Sequence, residues 1–284
     1  MPQIVLGFVI ALGIAGLAYR LGSLSLSGAA AALGLGTLVF GLGGWEWAVL
    51  LVAFFASSSG LTRFAAARKQ DLNAAFAKGG RRDAGQVLAN GGLAGLFVLA
   101  HVVWPDWGWT WLAYAGALAA VNADTWATEL GVLSHAQPRL ISTLRPVERG
   151  TSGGVTVTGT LAAAGGGLWI GLLAALCWPG RSLVSAWLST ALAAPASLPS
   201  AAGLALGVAM AGLAGSLLDS LLGATLQAIY YCPACGRATE RHPRHTCGTP
   251  TRALRGLAWL GNDGVNLACA ATGALVAAAV FFFI

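Results

Sequence analysis

The stretch GWTWLAYAGALAAVNADTWATELGVL, residues 108–133, joins a long apolar run to two carboxylates, Asp124 and Glu129. A charged side chain inside a bilayer costs roughly +2.5 to +3.5 kcal/mol on insertion scales unless it is paired, hydrated or bound to a metal ion. Asp83, Asp219 and Asp263 also lie inside or at the ends of apolar segments, and the whole chain has only ten acidic residues. We therefore expect an intramembrane polar site whose negative charge requires a cation.

The composition of the whole chain indicates a membrane protein. Hydrophobic residues make up 57% of its 284 residues and charged residues only 9%, whereas soluble domains contain about 25% charged residues. The 40 glycines suit close packing of helices in lipid. We predict an all-α, polytopic membrane helix bundle of about seven or eight transmembrane helices, with residues 1–284 forming one integral-membrane domain.

The apolar stretches define the predicted spans. A further stretch, 183–194, is too short to cross a bilayer, and we interpret it as an interfacial or re-entrant segment. The N-terminus lacks the basic region of a signal peptide, so the first stretch is kept as a span. The eight predicted spans are 3–19, 25–43, 46–61, 86–104, 108–133, 154–178, 203–229 and 264–284.

The basic residues predict the orientation of this bundle. Fifteen of the sixteen lie in loops that follow odd-numbered spans, and only Arg181 does not. Cytoplasmic loops are enriched in Lys and Arg, so the termini are expected outside and the polar helix ends inside. The expected location is a bacterial inner (plasma) membrane with the active site facing the cytoplasm. For the basic residues around 63–82, setting the orientation of the bundle explains their presence as well as ligand binding does.

The polar end of the opening stretch forms one helix face. Asp124 and Thr128 are four residues apart, as are Thr125 and Glu129, and such pairs stack on a helix surface. Together with Asn122 they form a patch of oxygen ligands at the cytoplasmic end of a span. Mg²⁺ prefers one or two carboxylates together with substrate phosphates and water. The alternative is a buried polar cluster that holds helices together.

A basic and glycine-rich run follows this patch. Arg145 and Arg149 precede Gly150, Thr151, Ser152, Gly153 and Gly154, which we expect to open the next helix. Glycines let backbone N–H groups approach an anion, a helix N-terminus favours negative charge, and arginines bind phosphate oxygens bidentately. The run is not a Walker A loop, because no Gly-Lys-Ser/Thr follows. Beside the carboxylates it predicts a phosphate-binding loop.

Three further segments present polar faces on the same predicted side. Asp263 is also a candidate helix N-cap. Convergence of separate segments supports one shared site better than any single motif does. The residues are Arg82, Asp83, Gln86 and Asn90 in 81–90, Ser216, Asp219 and Ser220 in 215–223, and Asn262, Asp263 and Asn266 in 261–266.

The loop 232–258 carries a separate candidate metal site. Cys232 and Cys235 form a C-x₂-C knuckle, and with Cys247 and a histidine they make a set suited to tetrahedral zinc. His245 is the expected fourth ligand, with His242 as the alternative. A reduced or redox-active loop is the rival interpretation, and a disulfide is disfavoured on a cytoplasmic face. We expect the site to be structural rather than catalytic.

The sequence resembles the integral-membrane family known as domain of unknown function 92, or the transmembrane protein 19 family. The resemblance covers the chain from about residue 60, and RRDAGQVLANGG (81–92) also fits the family. A plant branch is known as phytyl-phosphate kinase, and the pattern is distantly similar to the CTP-dependent kinases of dolichol and phytol. The resemblance to domain of unknown function 92 rests on ADTWATELGVLS (123–134), PRLISTLRPVERGTSGGVTVTGTLA (138–162), GSLLDSLLGATLQ (215–227) and GNDGVNL (261–267).

This resemblance implies a phosphoryl transfer from a nucleoside triphosphate, with CTP expected, to an isoprenoid alcohol monophosphate. Asp124 and Glu129 would hold Mg²⁺, and Asp219 and Asp263 would be further ligands or orient the acceptor. Arg145, Arg149 and the backbone of 150–154 would bind donor phosphates. Such a transfer asks the protein mainly for positioning and charge neutralisation.

Two other functions use the same features. An ion-coupled lipid transporter or flippase also contains intramembrane carboxylates and glycine-rich breaks, but it needs polar groups near the midplane. A CTP-using lipid nucleotidyltransferase would need the same metal and phosphate sites. The expected partners are an isoprenoid lipid phosphate, a nucleotide and membrane lipids, and the small residues on helix surfaces permit a homodimer. Nucleic acid is excluded because the basic residues follow topology and lack a reading element.

Overall fold

Eight long helices make up most of the computed structural model, which describes residues 2–66, 81–178 and 200–281. Each helix corresponds to one predicted apolar stretch. The predicted segment 183–194, together with Arg68, Lys69, Lys78 and Arg181, lies outside the described residues. The helices are α1 (Pro2–Arg20), α2 (Leu26–Leu38, continued by a π-helical turn over Val39–Gly43), α3 (Trp45–Ala66), α4 (Ala84–Val103), α5 (Trp109–Gly131), α6 (Val157–Leu176), α7 (Ala201–Thr225) and α8 (Asn262–Phe281).

The ends of three helices differ from the prediction. Helix α3 runs to Ala66, past the predicted end at 61. Helix α6 begins only at Val157, because the Thr156 side chain caps it by accepting from Gly159 N, so the glycine-rich run precedes the helix and does not open it. Helix α7 ends at Thr225, since the chain turns into a strand four residues later.

Helix α5 is the centre of the bundle. Every residue from Thr110 to Ala123 is buried, and α5 packs against α3, α4, α6, α7 and α8. Seven of the described helices are long and apolar enough to cross a membrane, and α5 is not among them. The difference has a physical cause: α5 faces protein on all sides, so its residues need not match lipid.

The outer helices present apolar side chains to the surroundings. Val5 and Leu17 of α1, Leu96 of α4 and Met210 of α7 are all more than half exposed. In water such continuous apolar surfaces would be a liability, whereas in a bilayer they face hydrocarbon. The architecture is therefore an all-α polytopic membrane bundle, as predicted.

Small residues let the central helices approach closely. A Cβ atom on Gly116 of α5 would lie 2.3 Å from the Gly273 carbonyl oxygen of α8. Lipid gives no hydrophobic drive for helix association, so such close backbone contact is a main source of packing energy.

Five short strands interrupt the helices in two loops. Strands β1 (Arg139–Leu140) and β2 (Gly154–Val155) pair antiparallel between α5 and α6. Strands β3 (Ile229–Cys232), β4 (Arg237–Thr239) and β5 (Arg252–Arg255) form an antiparallel sheet in the order β4-β3-β5 between α7 and α8. Both loops leave the bundle at the end where α5 and α7 terminate.

A Gly116→Ala substitution should lower the thermal unfolding temperature of the detergent-purified protein. The added methyl group meets Gly273 backbone that cannot rotate away, and overpacking of this kind costs typically about 1–3 kcal/mol. The matched control is Gly60→Ala in α3, where an added Cβ meets nothing within 4 Å. Equal unfolding temperatures for the two variants would contradict the close packing of α5 on α8.

Candidate functional site

Alternating helix directions bring six polar helix ends together at one end of the bundle. The C-terminal parts of α3, α5 and α7 and the N-terminal parts of α4, α6 and α8 surround an open cavity of about 450 Å³. Most of the residues predicted for the site line this cavity. They are Arg82, Asn90, Asp124, Thr128, Glu129, Arg149, the run 150–154, Ser216, Asp219, Asn262 and Asn266.

Asn122 does not line the cavity. Its amide Nδ2 donates to Gly166 O at 2.9 Å, and its Oδ1 accepts from the hydroxyls of Ser57 at 2.9 Å and Ser58 at 3.2 Å. The side chain thus ties α5 to α3 and α6 within the core. We assign Asn122 to helix packing instead of substrate binding.

Asp83, Arg145 and Asp263 also stand outside the cavity lining. Asp83 is the N-cap of α4 and forms a capping box with Gln86. Arg145 lies exposed between the two strands β1 and β2, where its carbonyl accepts from Leu140 N. Asp263 lies in the first turn of α8, one residue beyond the cavity-lining Asn262, so it is not the N-cap that the sequence also permitted.

Two aspartates of neighbouring helices meet in the cavity wall. Asp124 of α5 and Asp219 of α7 interact electrostatically with each other and with Glu240. Ser216 donates a hydrogen bond to Asp124, while Oδ2 of Asp219 is buried and accepts no hydrogen bond from any described residue. Buried carboxylates normally have partners, so this group of three acids has the character of a cation site.

Glu129 belongs to a different part of the cavity. Its Oε1 accepts from Thr62 at 3.0 Å, and its charge attracts the guanidinium of Arg82. Burial lowers the pKa of Arg82 to about 10, and Glu129 opposes that shift, so Arg82 remains cationic at neutral pH. From the sequence, Glu129 was expected to act together with Asp124. In the structure Glu129 has a basic partner, Arg82, whereas Asp124 lies near the acidic residues Asp219 and Glu240.

Arg82 is held in place by its backbone and by aromatic rings. Its N–H donates to Ser23 O and its carbonyl accepts from Ser25 N, both at 2.9 Å. Its guanidinium lies over the rings of Phe54 and Phe55, at 5.7 and 5.9 Å from their centroids. The turn between α1 and α2 therefore fixes a cation in the wall of the cavity.

An apolar groove of about 90 Å³ adjoins the polar cavity between α1, α2, α3 and α4. Its walls include Leu35 and Val52 together with Phe54 and Phe55. Arg82, Gln86 and Asn90 line both the groove and the polar cavity. These three side chains thus lie between a charged cavity and an apolar groove.

The glycine-rich run folds as a tight loop against the end of α7. Gly153 has a φ of +82°, and a Cβ there would lie 2.4 Å from the backbone N of Ala224. Ile141 N donates to Gly153 O at 3.0 Å. Only glycine tolerates both this conformation and this approach, which explains the residue at this position.

Sequence reasoning missed Glu240. It follows β4 directly and reaches the cavity, where its Oε1 accepts from Ser152 Oγ at 2.7 Å and from Gln227 Nε2 at 2.9 Å. In the sequence, Glu240 is distinguished only as one of the ten acidic residues of the chain and by its position shortly after the C-x₂-C knuckle. Its role depends on how the sheet β4-β3-β5 packs on the bundle.

The structure brings His245, and not His242, to the three cysteines. The ligand atoms of Cys232, Cys235, His245 and Cys247 lie within 4.8 Å of one another. His242 instead stacks on Tyr230 with ring centroids 4.3 Å apart. Hydrogen bonds from Thr249 and then from His245 lower the pKa of the Cys247 thiol to about 5.

Comparisons with known proteins agree on a membrane family. The family described as integral membrane protein DUF92 matches residues 9–274. Protein PGR of Arabidopsis thaliana is 39% identical over 186 residues, which is 60% of this chain and 64% of that protein. No solved structure matches.

Two further relatives are described only as uncharacterized membrane proteins. The one from Methanocaldococcus jannaschii is 37% identical over 134 residues, covering 45% of this chain and 52% of its own length. The one from Synechocystis sp. is 33% identical over 141 residues, covering 49% and 55%. The chain therefore spans less than two thirds of the length of each of these three relatives.

A Gly153→Ala substitution should displace the glycine-rich loop. A non-glycine residue with positive φ costs about 1–3 kcal/mol, and the methyl group would overlap Ala224 N. We expect faster amide hydrogen exchange in 150–154 and a lower unfolding temperature. Gly261→Ala is the control, because an added Cβ there meets nothing within 4 Å. Wild-type exchange rates in Gly153→Ala would show that the loop does not pack as described.

Proposed function

The chain belongs to the integral membrane protein DUF92 family, and from that premise we propose that it is a membrane kinase. It transfers the γ-phosphoryl group of a nucleoside triphosphate, CTP in this proposal, to an isoprenoid alcohol monophosphate. The products are the isoprenoid diphosphate and the nucleoside diphosphate. The active site faces the cytoplasm of a plasma membrane, because fifteen of sixteen basic residues lie in loops assigned to that side.

One observation carries this proposal: a charged cavity and an apolar groove share Arg82, Gln86 and Asn90 as walls. A substrate that fills both must have an anionic head and an apolar tail. A lipid monophosphate has this form, with its phosphate beside Arg82 and its first isoprene units against Phe54 and Phe55. The groove would accept only the head-proximal part of the tail, and the remainder would lie among the lipids.

Asp124, Asp219 and Glu240 would hold Mg²⁺. Hard cations take oxygen ligands, and Mg²⁺ binds through one or two carboxylates together with phosphates and water. The buried Oδ2 of Asp219, which has no partner among the described residues, fits such a ligand. When bound, the ion would neutralise charge on the donor phosphates as the γ-phosphoryl group departs.

Arg149 and the loop 150–154 would bind the donor phosphates. Arg149 lines the cavity, and its Nη2 donates to His135 O at 3.1 Å, which leaves its other N–H groups for an anion. The loop and Arg82 come from different segments that line the cavity, so donor and acceptor phosphates would contact different parts of its wall. Phosphoryl transfer requires mainly such positioning and charge neutralisation.

In the proposed transfer, the cavity residues supply positioning and charge, and no general base is needed. An oxygen of the acceptor phosphate is already anionic and attacks the γ-phosphorus, while the bond from that phosphorus to the β-bridging oxygen breaks. Arg82, oriented by Glu129, would hold the acceptor phosphate. Two like-charged phosphates can approach only where cations offset their repulsion, which is the contribution of Arg82 and Arg149.

A lipid carrier fits the same residues less well. Ion-coupled carriers place their polar groups near the membrane midplane, whereas here the charged residues gather at one end of the bundle. The middle of α5, between Thr110 and Ala123, is buried against other helices and carries no charged residue.

Substituting Asn for Asp124 should reduce phosphoryl transfer at least ~100-fold, because it removes one of the carboxylate ligands proposed for Mg²⁺. The assay follows γ-labelled CTP into lipid diphosphate with Mg²⁺ and phytyl monophosphate. Asp106→Asn is the matched control, since Asp106 is exposed in the turn between α4 and α5, at the other end of the bundle. Turnover in Asp124→Asn equal to the control would overturn the site assignment.

Filling the apolar groove should weaken binding of the lipid acceptor. Ala32→Phe places a ring among the groove walls, and we expect KM for a C20 monophosphate to rise ~10-fold or more, since one methylene in an apolar pocket is worth about that factor or more. KM for CTP, which does not enter the groove in this proposal, should stay unchanged. Ala30→Phe on the exposed side of α2 is the control, and equal KM values in both variants would place the tail elsewhere.

A further inference from the structure

The sheet β4-β3-β5 and the loop after it hold few buried side chains. Between residues 229 and 259 only Ile229, Cys232, Thr239 and His245 are buried. A segment of this size cannot form a stable core from four side chains, and small units of this kind are usually stapled by disulfides or a metal ion. Two of the four buried residues are themselves metal-ligating types.

No disulfide supplies the staple. All five cysteines lie in the described residues and all are free. The Cys232 and Cys247 sulfurs are 3.6 Å apart, well beyond a disulfide bond length of about 2.05 Å.

The spacing of the ligand atoms matches tetrahedral coordination. With Zn–S near 2.3 Å and Zn–N near 2.0–2.1 Å, a tetrahedron places sulfurs about 3.8 Å apart and sulfur and nitrogen about 3.5 Å apart. Here the Cys232 and Cys247 sulfurs are separated by 3.6 Å. His245 Nδ1 lies 3.5 Å from the Cys235 sulfur and 3.3 Å from the Cys247 sulfur.

Two matching turns present these ligands. In the first, Gly236 N donates to the carbonyl of Cys232 at 2.9 Å, and in the second Gly248 N donates to the carbonyl of His245 at 2.9 Å. The second turn is thus a His-x-Cys-Gly counterpart of the Cys-x₂-Cys-Gly knuckle. His245 and Cys247, only two residues apart, thus belong to a second ligand-bearing turn.

We propose that Cys232, Cys235, His245 and Cys247 bind one zinc ion, and that this ion holds Glu240 and Arg255 against the glycine-rich loop. The inference of zinc binding rests on the geometry of the four ligands alone. The effect on catalysis rests on the proposed kinase function.

The strands that emerge from the zinc site carry both contacts to the cavity. Glu240 follows β4 and accepts from Ser152 Oγ at 2.7 Å. Arg255 ends β5, and its Nη2 donates to Gly223 O at 2.8 Å and to Ser152 O at 3.5 Å. Strand β3, which ends at Cys232, pairs with both β4 and β5, so a loss of zinc would release both contacts together.

The first experiment measures metal content in the full-length protein purified in detergent without added metal. Elemental analysis should give about one zinc per chain in the wild type and less than a tenth of that in Cys232→Ser and Cys247→Ser. Cys177→Ser, which changes a buried cysteine at the end of α6, should keep one zinc. No zinc in the wild type, or full zinc in Cys232→Ser, would overturn the site.

The second experiment tests the link to the cavity without requiring turnover. Zinc is removed from the wild-type protein with a chelator, and amide hydrogen exchange is followed in residues 148–154. We expect exchange in this loop to rise at least ~10-fold, to return when zinc is restored, and to stay unchanged in the middle of α5. Unchanged exchange in 148–154 after zinc removal would overturn the link.

A third variant separates this inference from the proposed kinase activity. Glu240→Gln keeps all four zinc ligands, so it should retain one zinc per chain while exchange in 148–154 rises. Loss of zinc from Glu240→Gln, or wild-type exchange in the loop, would contradict the role given to Glu240. Absence of kinase activity in the wild type would leave these results intact and would fall on the proposed function alone.

Discussion

Carboxylates can stand at the edge of a bilayer only if protein separates them from lipid, and the bundle is arranged around that requirement. Five helices enclose α5, so that its interior is buried from Thr110 to Ala123 and its end opens into the polar cavity. The enclosing helices approach closely because Gly and Ala occupy the contacts, as at Gly116 and Gly273. Without this enclosure Asp124 would face hydrocarbon at a cost of several kcal/mol.

The enclosed helix end also carries two kinds of charged group in different parts of the cavity. Asp124 and Asp219 come from neighbouring helices and lie together with no basic partner among the residues that the structure describes, which favours a bound cation. Glu129, five residues beyond Asp124 on α5, instead attracts the guanidinium of Arg82. In the proposed site, the same helix end therefore has an acidic region for a cation and lies near Arg82, a basic residue that also lines the apolar groove.

The helices and most cavity residues were accessible from the sequence, because lipid demands long apolar runs and i, i+4 spacing reveals polar faces. What spacing could not show is which way a polar group points. Asn122 carried the same signal as Asp124, yet its amide forms hydrogen bonds to neighbouring helices within the core. Glu240 and the backbone placement of Arg82 depend on contacts between distant segments, for which a single sequence holds no periodic signal.

A parallel labelling assay would show whether a γ-phosphoryl group moves from nucleotide to lipid phosphate in this cavity, as we propose. The purified wild-type protein is supplied with Mg²⁺, phytyl monophosphate and CTP labelled in parallel at the α- or the γ-phosphorus. We expect γ-label in a lipid diphosphate and all α-label in soluble nucleotide. Appearance of α-label in lipid would show a nucleotidyltransferase, and absence of both labels from lipid would contradict phosphoryl transfer altogether.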